Sequence, residues 1–65
     1  METNRSRIRR RLEDDGWYLD RHGANHDIYR HPKVSGIITL PRHNTLSIGV
    51  ARSIAKRAGW PRDQD

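Results

Sequence analysis

Residues 26–41 read HDIYRHPKVSGIITLP, and this stretch decides the fold. It begins with an extended run, His26–His31, and ends with a second one, Ile37–Leu40, which is rich in β-branched residues and is stopped by Pro41. The segment between them, Pro32–Gly36, has a proline and a glycine at its ends, as is typical of a turn. The stretch therefore predicts two strands joined by a short connection.

A further strand is predicted on the N-terminal side of this pair. In Trp17–Asp20 the large apolar residues Trp17 and Leu19 occupy alternate positions, which is a strand-like pattern. The loop that follows contains Gly23 and Asn25, two residues that tolerate positive φ. Three sequential strands with short connections predict an antiparallel meander.

A helix is predicted over residues 4–15, before the sheet. Ile8 and Leu12 lie four residues apart and so share one stripe, and Gly16 stands where a left-handed C-terminal cap is expected. The helix also carries five arginines, which are typical of a solvated face more often than of a dedicated RNA-binding one: Arg5, Arg7, Arg9, Arg10 and Arg11.

A second helix is predicted after the sheet, with Ser47 as its N-cap and Gly59 as its C-terminal glycine. Val50, Ile54 and Ala58 recur every four residues and form an apolar stripe, which Ala51 and Ala55 broaden. Two helices with one apolar stripe each can pack side by side on one face of the sheet. The predicted fold is α+β, in the order helix-strand-strand-strand-helix, with the other sheet face open to RNA or a partner chain.

The length of 65 residues predicts a single domain, 1–65, with an ordered core at about 4–60 and a frayed tail at 61–65. Only 32% of the residues are hydrophobic and none is Phe, so the core must be small. The absence of Cys excludes a disulfide framework and a thiolate zinc site. With no apolar stretch near the length of a membrane span, we expect a soluble, cytoplasmic protein.

The net charge favours a polyanionic partner. The sequence has 13 Lys and Arg against 8 Asp and Glu, a net charge of +5. Such an excess attracts nucleic acid through phosphate neutralisation, although solubility with counter-ions explains it equally well. On the second helix, Arg52 and Lys56 lie outside the apolar stripe and are available to phosphate.

His26 is the best candidate for a catalytic residue. Alternation along the strand places it on one face with Arg30, and we expect Tyr29 on the other face to point into the core. Histidine can take a proton from a ribose 2′-hydroxyl or give one to a leaving 5′-oxygen, while Arg30 with Lys33 or Arg42 stabilises charge on the phosphate. Without further information, however, a lone histidine in a strand is usually an ordinary surface residue.

A metal site is the weaker alternative. His22 and His26 have H-x-x-x-H spacing, and His31 and His43 could complete a set. That spacing brings two rings together on a helix, whereas here it crosses a loop with Gly23. We therefore predict no metal and no cofactor.

The ordered combination of motifs resembles the HicA toxin family from about Ile8 to Trp60. The matching segments are Asp15-Gly16-Trp17, Arg21, Gly23-x-Asn25-His26-Asp27-Ile28-Tyr29-Arg30-His31-Pro32, Ile38-Thr39-Leu40-Pro41-x-His43 and Ala51-Arg52-Ser53-Ile54-Ala55-Lys56-x-Ala58-Gly59. The resemblance implies a fold similar to the double-stranded RNA-binding domain. It also implies mRNA interferase activity, a cognate HicB antitoxin and a catalytic role for His26.

The sequence departs from the family pattern at the candidate site. Many members have two adjacent histidines, but here Asp27 follows His26, and Asn25 replaces a small hydroxyl residue. The expected function is a metal-independent endoribonuclease acting on mRNA, with five phosphate contacts: Arg30, Lys33, Arg42, Arg52 and Lys56. Two alternatives remain open, a non-catalytic RNA-binding module and an interaction protein whose basic face meets an acidic partner.

Overall fold

A computed structural model describes residues 1–61 and contains two helices and three strands. They are α1 Arg5–Asp14, β1 Tyr18–His22, β2 His26–His31, β3 Val34–Pro41 and α2 Ile48–Ala58. The sheet order is β1-β2-β3, and both strand pairs are antiparallel. The predicted α+β class and element order are confirmed. The fraying predicted for residues 61–65 falls, except for Pro61, outside the described residues.

Side chains cap the N-terminal ends of both helices, and Ser47, Gly16 and Gly59 take the positions that the sequence predicts for them. Ser47 caps α2, accepting a hydrogen bond from the Val50 backbone N–H at 3.2 Å. Asn4 does the same for α1, accepting from the Arg7 N–H at 3.1 Å. Gly16 and Gly59 follow the helices with φ of +99° and +76°, a backbone conformation that other residues adopt only at a cost.

Both helices bury their apolar stripes against the same face of the sheet. Tyr29 points into this core and is 2% exposed, as predicted for a chain without Phe. The other members of the core cluster are Ile8, Leu12, Trp17, Ile38, Leu40, Leu46, Ala51 and Ile54. Neither described helix is long and apolar enough to cross a membrane.

The opposite face of the sheet carries no helix within residues 1–61. Ile28 lies at its centre, with Arg21 and Thr39 as its cross-strand neighbours, and is only 6% exposed. His26 and Arg30, which flank Ile28 on the same face, are half-buried. The predicted placement of these two side chains on the uncovered face is confirmed.

The limits of two predicted strands were wrong. β1 runs from Tyr18 to His22 rather than from Trp17 to Asp20, and Leu19 is 43% exposed because it lies on an edge strand whose pairing shifts register at Asp20.

β3 begins at Val34 rather than Ile37, because the turn contains only Pro32 and Lys33. Gly36 lies inside the strand with φ +89°, next to a register shift between β2 and β3. A β-carbon at this position would also lie 2.6 Å from Nη1 of Arg57. Gly36 therefore allows an irregularity within the strand instead of ending a turn.

Two glycines of similar exposure should respond oppositely to alanine. Gly49→Ala should raise the free energy of unfolding by up to about 1 kcal/mol, because Gly49 lies in α2 and a β-carbon there meets no atom within 4 Å. Gly59→Ala should lower it by about 1–2 kcal/mol, because the left-handed cap strains a side chain. Urea denaturation followed by circular dichroism measures both. Equal effects of the two substitutions would contradict this account of the helix ends.

Candidate functional site

The site lies at the end of the β1–β2 hairpin. The Gly23 backbone N–H donates to the His26 carbonyl at 2.7 Å and closes a loop with Ala24 and Asn25 at its tip. Arg42, the first residue after β3, donates its backbone N–H to the Asn25 carbonyl at 3.2 Å and its Nη2 to the Gly23 carbonyl at 3.3 Å. The hairpin end is thus held in place by a residue that follows the neighbouring strand.

The His26 imidazole packs directly against the Gly23 backbone. A β-carbon at position 23 would lie 2.6 Å from Nε2 and 2.9 Å from Cδ2 of His26. Gly23 and Asn25 lie in the loop as predicted, and neither uses the positive φ that both residue types tolerate. Gly23 is needed here for space, because any side chain would displace the ring.

Asp27, the next residue along β2, points to the opposite face and is 8% exposed. Its Oδ2 accepts a hydrogen bond from Arg5 Nη2 at 2.7 Å, and its Oδ1 accepts from Arg42 Nη2 at 2.9 Å and Nε at 3.0 Å. Oδ1 also lies 2.7 Å from Nδ1 of His22, its cross-strand neighbour. A nearly buried carboxylate is stable only with such partners, and here three side chains supply them.

The same partners keep Asp27 ionised. The hydrogen bond from His22, opposed by burial and assisted by Arg42, lowers the pKa of Asp27 from 3.8 to about 2. An ionised carboxylate only accepts hydrogen bonds, so Nδ1 of His22 must carry a proton. Neutral His22 is therefore held in the tautomer whose Nε2 is a lone-pair acceptor.

Arg5 connects this carboxylate to the first helix. Its Nε donates to the Pro41 carbonyl at 2.7 Å, and its backbone N–H donates to the Asn44 carbonyl at 3.0 Å. The carboxylate of Asp27 consequently connects three parts of the fold: the start of α1, the hairpin of β1 and β2, and the end of β3.

The structure brings only some of the predicted phosphate contacts near His26. Arg42 borders the same glycine as the His26 ring, since its Nη2 donates to the Gly23 carbonyl at 3.3 Å. Arg30 shares the face of His26 and pairs with Asp20 at 3.2 Å. Lys33 is exposed at the opposite end of β2, and the remaining two lie on the exposed side of α2, across the sheet: Arg52 and Lys56. Their contacts with RNA remain predictions.

The other histidines do not form a cluster with His26. Nδ1 of His31 accepts from the Lys33 N–H at 3.0 Å, so its Nε2 donates to the Asp15 carbonyl at 2.8 Å, and the ring packs edge-on against Trp17. His22 pairs with Asp27. Among residues 1–61, no three His, Asp or Glu side chains are placed to hold a metal ion.

Sequence reasoning missed the roles of Asp27, His22 and Arg5. The sequence did contain one indication of the role of Asp27, because alternation places it on the same strand face as Tyr29, which was expected to point into the core. A carboxylate on a core-facing position needs cationic partners. The residues that act as these partners come from segments that are distant in sequence. The local spacing of residues therefore does not identify them.

The depressed pKa of Asp27 makes stability dependent on pH in the acid range. Its contribution is complete above pH 3.8, the value in the unfolded chain, and is lost as the pH falls through about 2. We expect a loss of about 2 kcal/mol of unfolding free energy over this interval that is absent in Asp27→Asn and retained in the matched variant Asp14→Asn, which changes an exposed helix-end carboxylate.

Urea denaturation at a series of pH values measures this loss, and NMR titration of the Asp27 carboxyl carbon in the unmodified chain measures its midpoint directly. A midpoint near 3.8 would contradict the network of hydrogen bonds described for Asp27.

One family model matches the chain. Its description is "HicA toxin of bacterial toxin-antitoxin", and it spans residues 5–60 of the 65. No curated protein matches the chain. The matched range includes all five helices and strands and every residue of the site.

Proposed function

The chain belongs to the HicA family of bacterial toxin–antitoxin systems, and from this premise we propose that it is an mRNA-cleaving toxin, a metal-independent endoribonuclease with His26 as its catalytic residue. The family supports the role of toxin. The cleavage chemistry is supported by the arrangement of side chains around Gly23.

The observation that carries the proposal is the position of the His26 ring. It lies on the uncovered face of the sheet, at the hairpin end, with the Arg42 guanidinium held against the same glycine. In RNA cleavage the 2′-oxygen attacks phosphorus and the bond to the 5′-oxygen breaks. An imidazole can transfer one of the two protons that move, and a neighbouring guanidinium stabilises the negative charge on the phosphate oxygens. This chemistry requires no metal.

The charged side chains nearest to His26 indicate how RNA lies on the site. Arg42 is 42% exposed despite its bonds to Asp27, so it can also approach a phosphate. Arg30 lies four residues along the same strand, or about 13 Å at a rise of 3.3 Å per residue, roughly two nucleotides away. We propose Arg42 as the contact to the reacting phosphate and Arg30 as a contact to a neighbouring one. We propose that the phosphates farther from the cleaved bond of a longer RNA are contacted by Lys33, Arg52 and Lys56.

A toxin of such a system has an antitoxin, and we propose a HicB-type protein that covers the face carrying His26. The net charge of +5 favours an acidic partner surface at this interface. Because mRNA is the proposed substrate, we place the activity in the cytoplasm.

His26→Ala should abolish cleavage of RNA in vitro and growth arrest on induction, with circular dichroism unchanged. The loss should be roughly 10²- to 10⁴-fold in rate, the usual contribution of one proton-transfer group. His43→Ala, which removes an exposed imidazole from the loop after β3, serves as the control and should cleave at the normal rate. Cleavage by the unmodified chain should persist in EDTA.

Unchanged cleavage in His26→Ala would refute the assignment of this residue. Salt-sensitive binding of RNA with no cleavage at any pH would instead identify a non-catalytic RNA-binding module.

A further inference from the structure

Tyr18 is an exposed aromatic residue on the uncovered face of the sheet. It is the first residue of β1 and the cross-strand neighbour of Arg30, so the two side chains share that face. Trp17, directly before it, is 3% exposed within the core, whereas Tyr18 is 49% exposed. Within residues 1–61 no other aromatic ring and no cation packs on the ring of Tyr18. The ring is therefore available to a ligand that lies on this face.

Tyr18 and His26 lie toward opposite ends of the same face. Arg30 follows His26 by four residues in β2, which is about 13 Å at a rise of about 3.3 Å per residue. Because Tyr18 is level with Arg30 and one strand to the side, its backbone lies roughly 14 Å from that of His26. The two side chains do not meet, and a ligand that contacts both must be extended.

The surface between them is suited to a polyanion. At its centre lies Ile28, which is 6% exposed, with Arg21 and Thr39 as cross-strand neighbours on the same face. Arg30 pairs with Asp20 through Nε at 3.2 Å, and its side chain remains 43% exposed. Two arginines against one carboxylate leave an excess of positive charge at this end of the face, which attracts phosphate groups.

An aromatic ring beside a guanidinium can bind one nucleotide of an unpaired strand. The ring stacks on the base, and the guanidinium pairs with the phosphate. A base within a duplex has neighbouring base pairs on both of its faces, so it is not available to a side chain in this way. The separation of Tyr18 from His26 corresponds to roughly two nucleotides of an extended strand.

We propose that Tyr18 is a base-stacking residue of this site, and that its ring binds an unpaired base about two nucleotides from the cleaved bond. Arg30 contacts a phosphate beside that base. The proposal rests on the proposed endoribonuclease function and narrows its substrate to RNA that is single-stranded at this position. Because every base has a π-face, the contact positions the strand without selecting its sequence.

The first test detects stacking directly. It uses an RNA oligonucleotide that the unmodified chain cuts at one mapped bond, with a 2′-deoxy nucleotide at that bond so that the RNA binds without being cut. The fluorescent base 2-aminopurine, which is quenched when it stacks on an aromatic ring, replaces each base in turn. Binding should quench it most at one position, about two nucleotides from the bond. The quenching should persist in Tyr18→Phe and disappear in Tyr18→Ala.

The second test measures affinity by fluorescence anisotropy. Tyr18→Ala should bind the oligonucleotide about 5- to 150-fold more weakly, the usual effect of losing one stacked base, while Tyr18→Phe binds normally. An abasic nucleotide at the quenched position should cost the unmodified chain a similar factor and cost Tyr18→Ala nothing further. Leu19→Ala is the matched control, since it removes the next side chain of β1, 43% exposed on the other face, and should bind normally.

The outcomes separate the two proposals. Quenching that survives in Tyr18→Ala, or an unchanged affinity of this variant, overturns the role of Tyr18 and leaves the proposed function standing. A loss of affinity that is the same with and without the abasic nucleotide also overturns it, because the ring would then act through the fold. So does an equal loss of affinity for a duplex of the same sequence.

No cleavage by the unmodified chain, or unchanged cleavage in His26→Ala, refutes the proposed function itself. Quenching and affinity still decide the role of Tyr18 in that case, since neither requires cleavage and 2-aminopurine can be moved along the whole oligonucleotide. Quenching at one position that is lost in Tyr18→Ala then supports base stacking by a non-catalytic RNA-binding module, and its absence overturns it.

Discussion

The fold depends on one nearly buried carboxylate, that of Asp27. It accepts hydrogen bonds from α1 through Arg5, from β1 through His22 and from the segment after β3 through Arg42. The apolar core holds the helices on the sheet, but it is small and contains no Phe. Removing the carboxylate would leave the Arg5 and Arg42 guanidinium groups without their shared counter-ion. Breaking a buried ion pair in this way costs about 3–5 kcal/mol, which is comparable with the whole stability of a small domain.

The residue that makes this interaction is the direct neighbour of the proposed catalytic residue. Strand alternation sends Asp27 toward the helices and His26 toward the uncovered face, so that adjacent residues belong to the fold and to the candidate site. Arg42 contributes to both the fold and the candidate site. Its guanidinium donates hydrogen bonds to the Asp27 carboxylate and to the carbonyl of Gly23, the glycine against which the His26 ring packs. The candidate site is therefore held by the contacts that hold the strands together, and no separate set of supporting residues is required.

Much of the fold could be predicted from local patterns, because caps and periodicity act over a few residues. Ser47 and Gly59 end α2 as expected, the span of β2 was predicted to the residue, and Tyr29 enters the core. The register shift at Asp20 and the irregular backbone at Gly36 were not predictable, since both depend on how neighbouring strands pair. His26 was proposed from alternation and family resemblance, and its catalytic role stays a prediction. Its surroundings join residues that are far apart in sequence, and local spacing says nothing about such contacts.

Gly23 exposes the proposed toxin to loss of activity through mutation. Almost any single-base change in the first or second position of a glycine codon introduces a β-carbon, and here that carbon would occupy the space of the His26 ring. The backbone itself needs no unusual φ at this position, so the substituted chain could still fold. A bacterial lineage under pressure to escape the toxin could therefore inactivate it by a change outside the proposed reacting groups, while the protein stays folded.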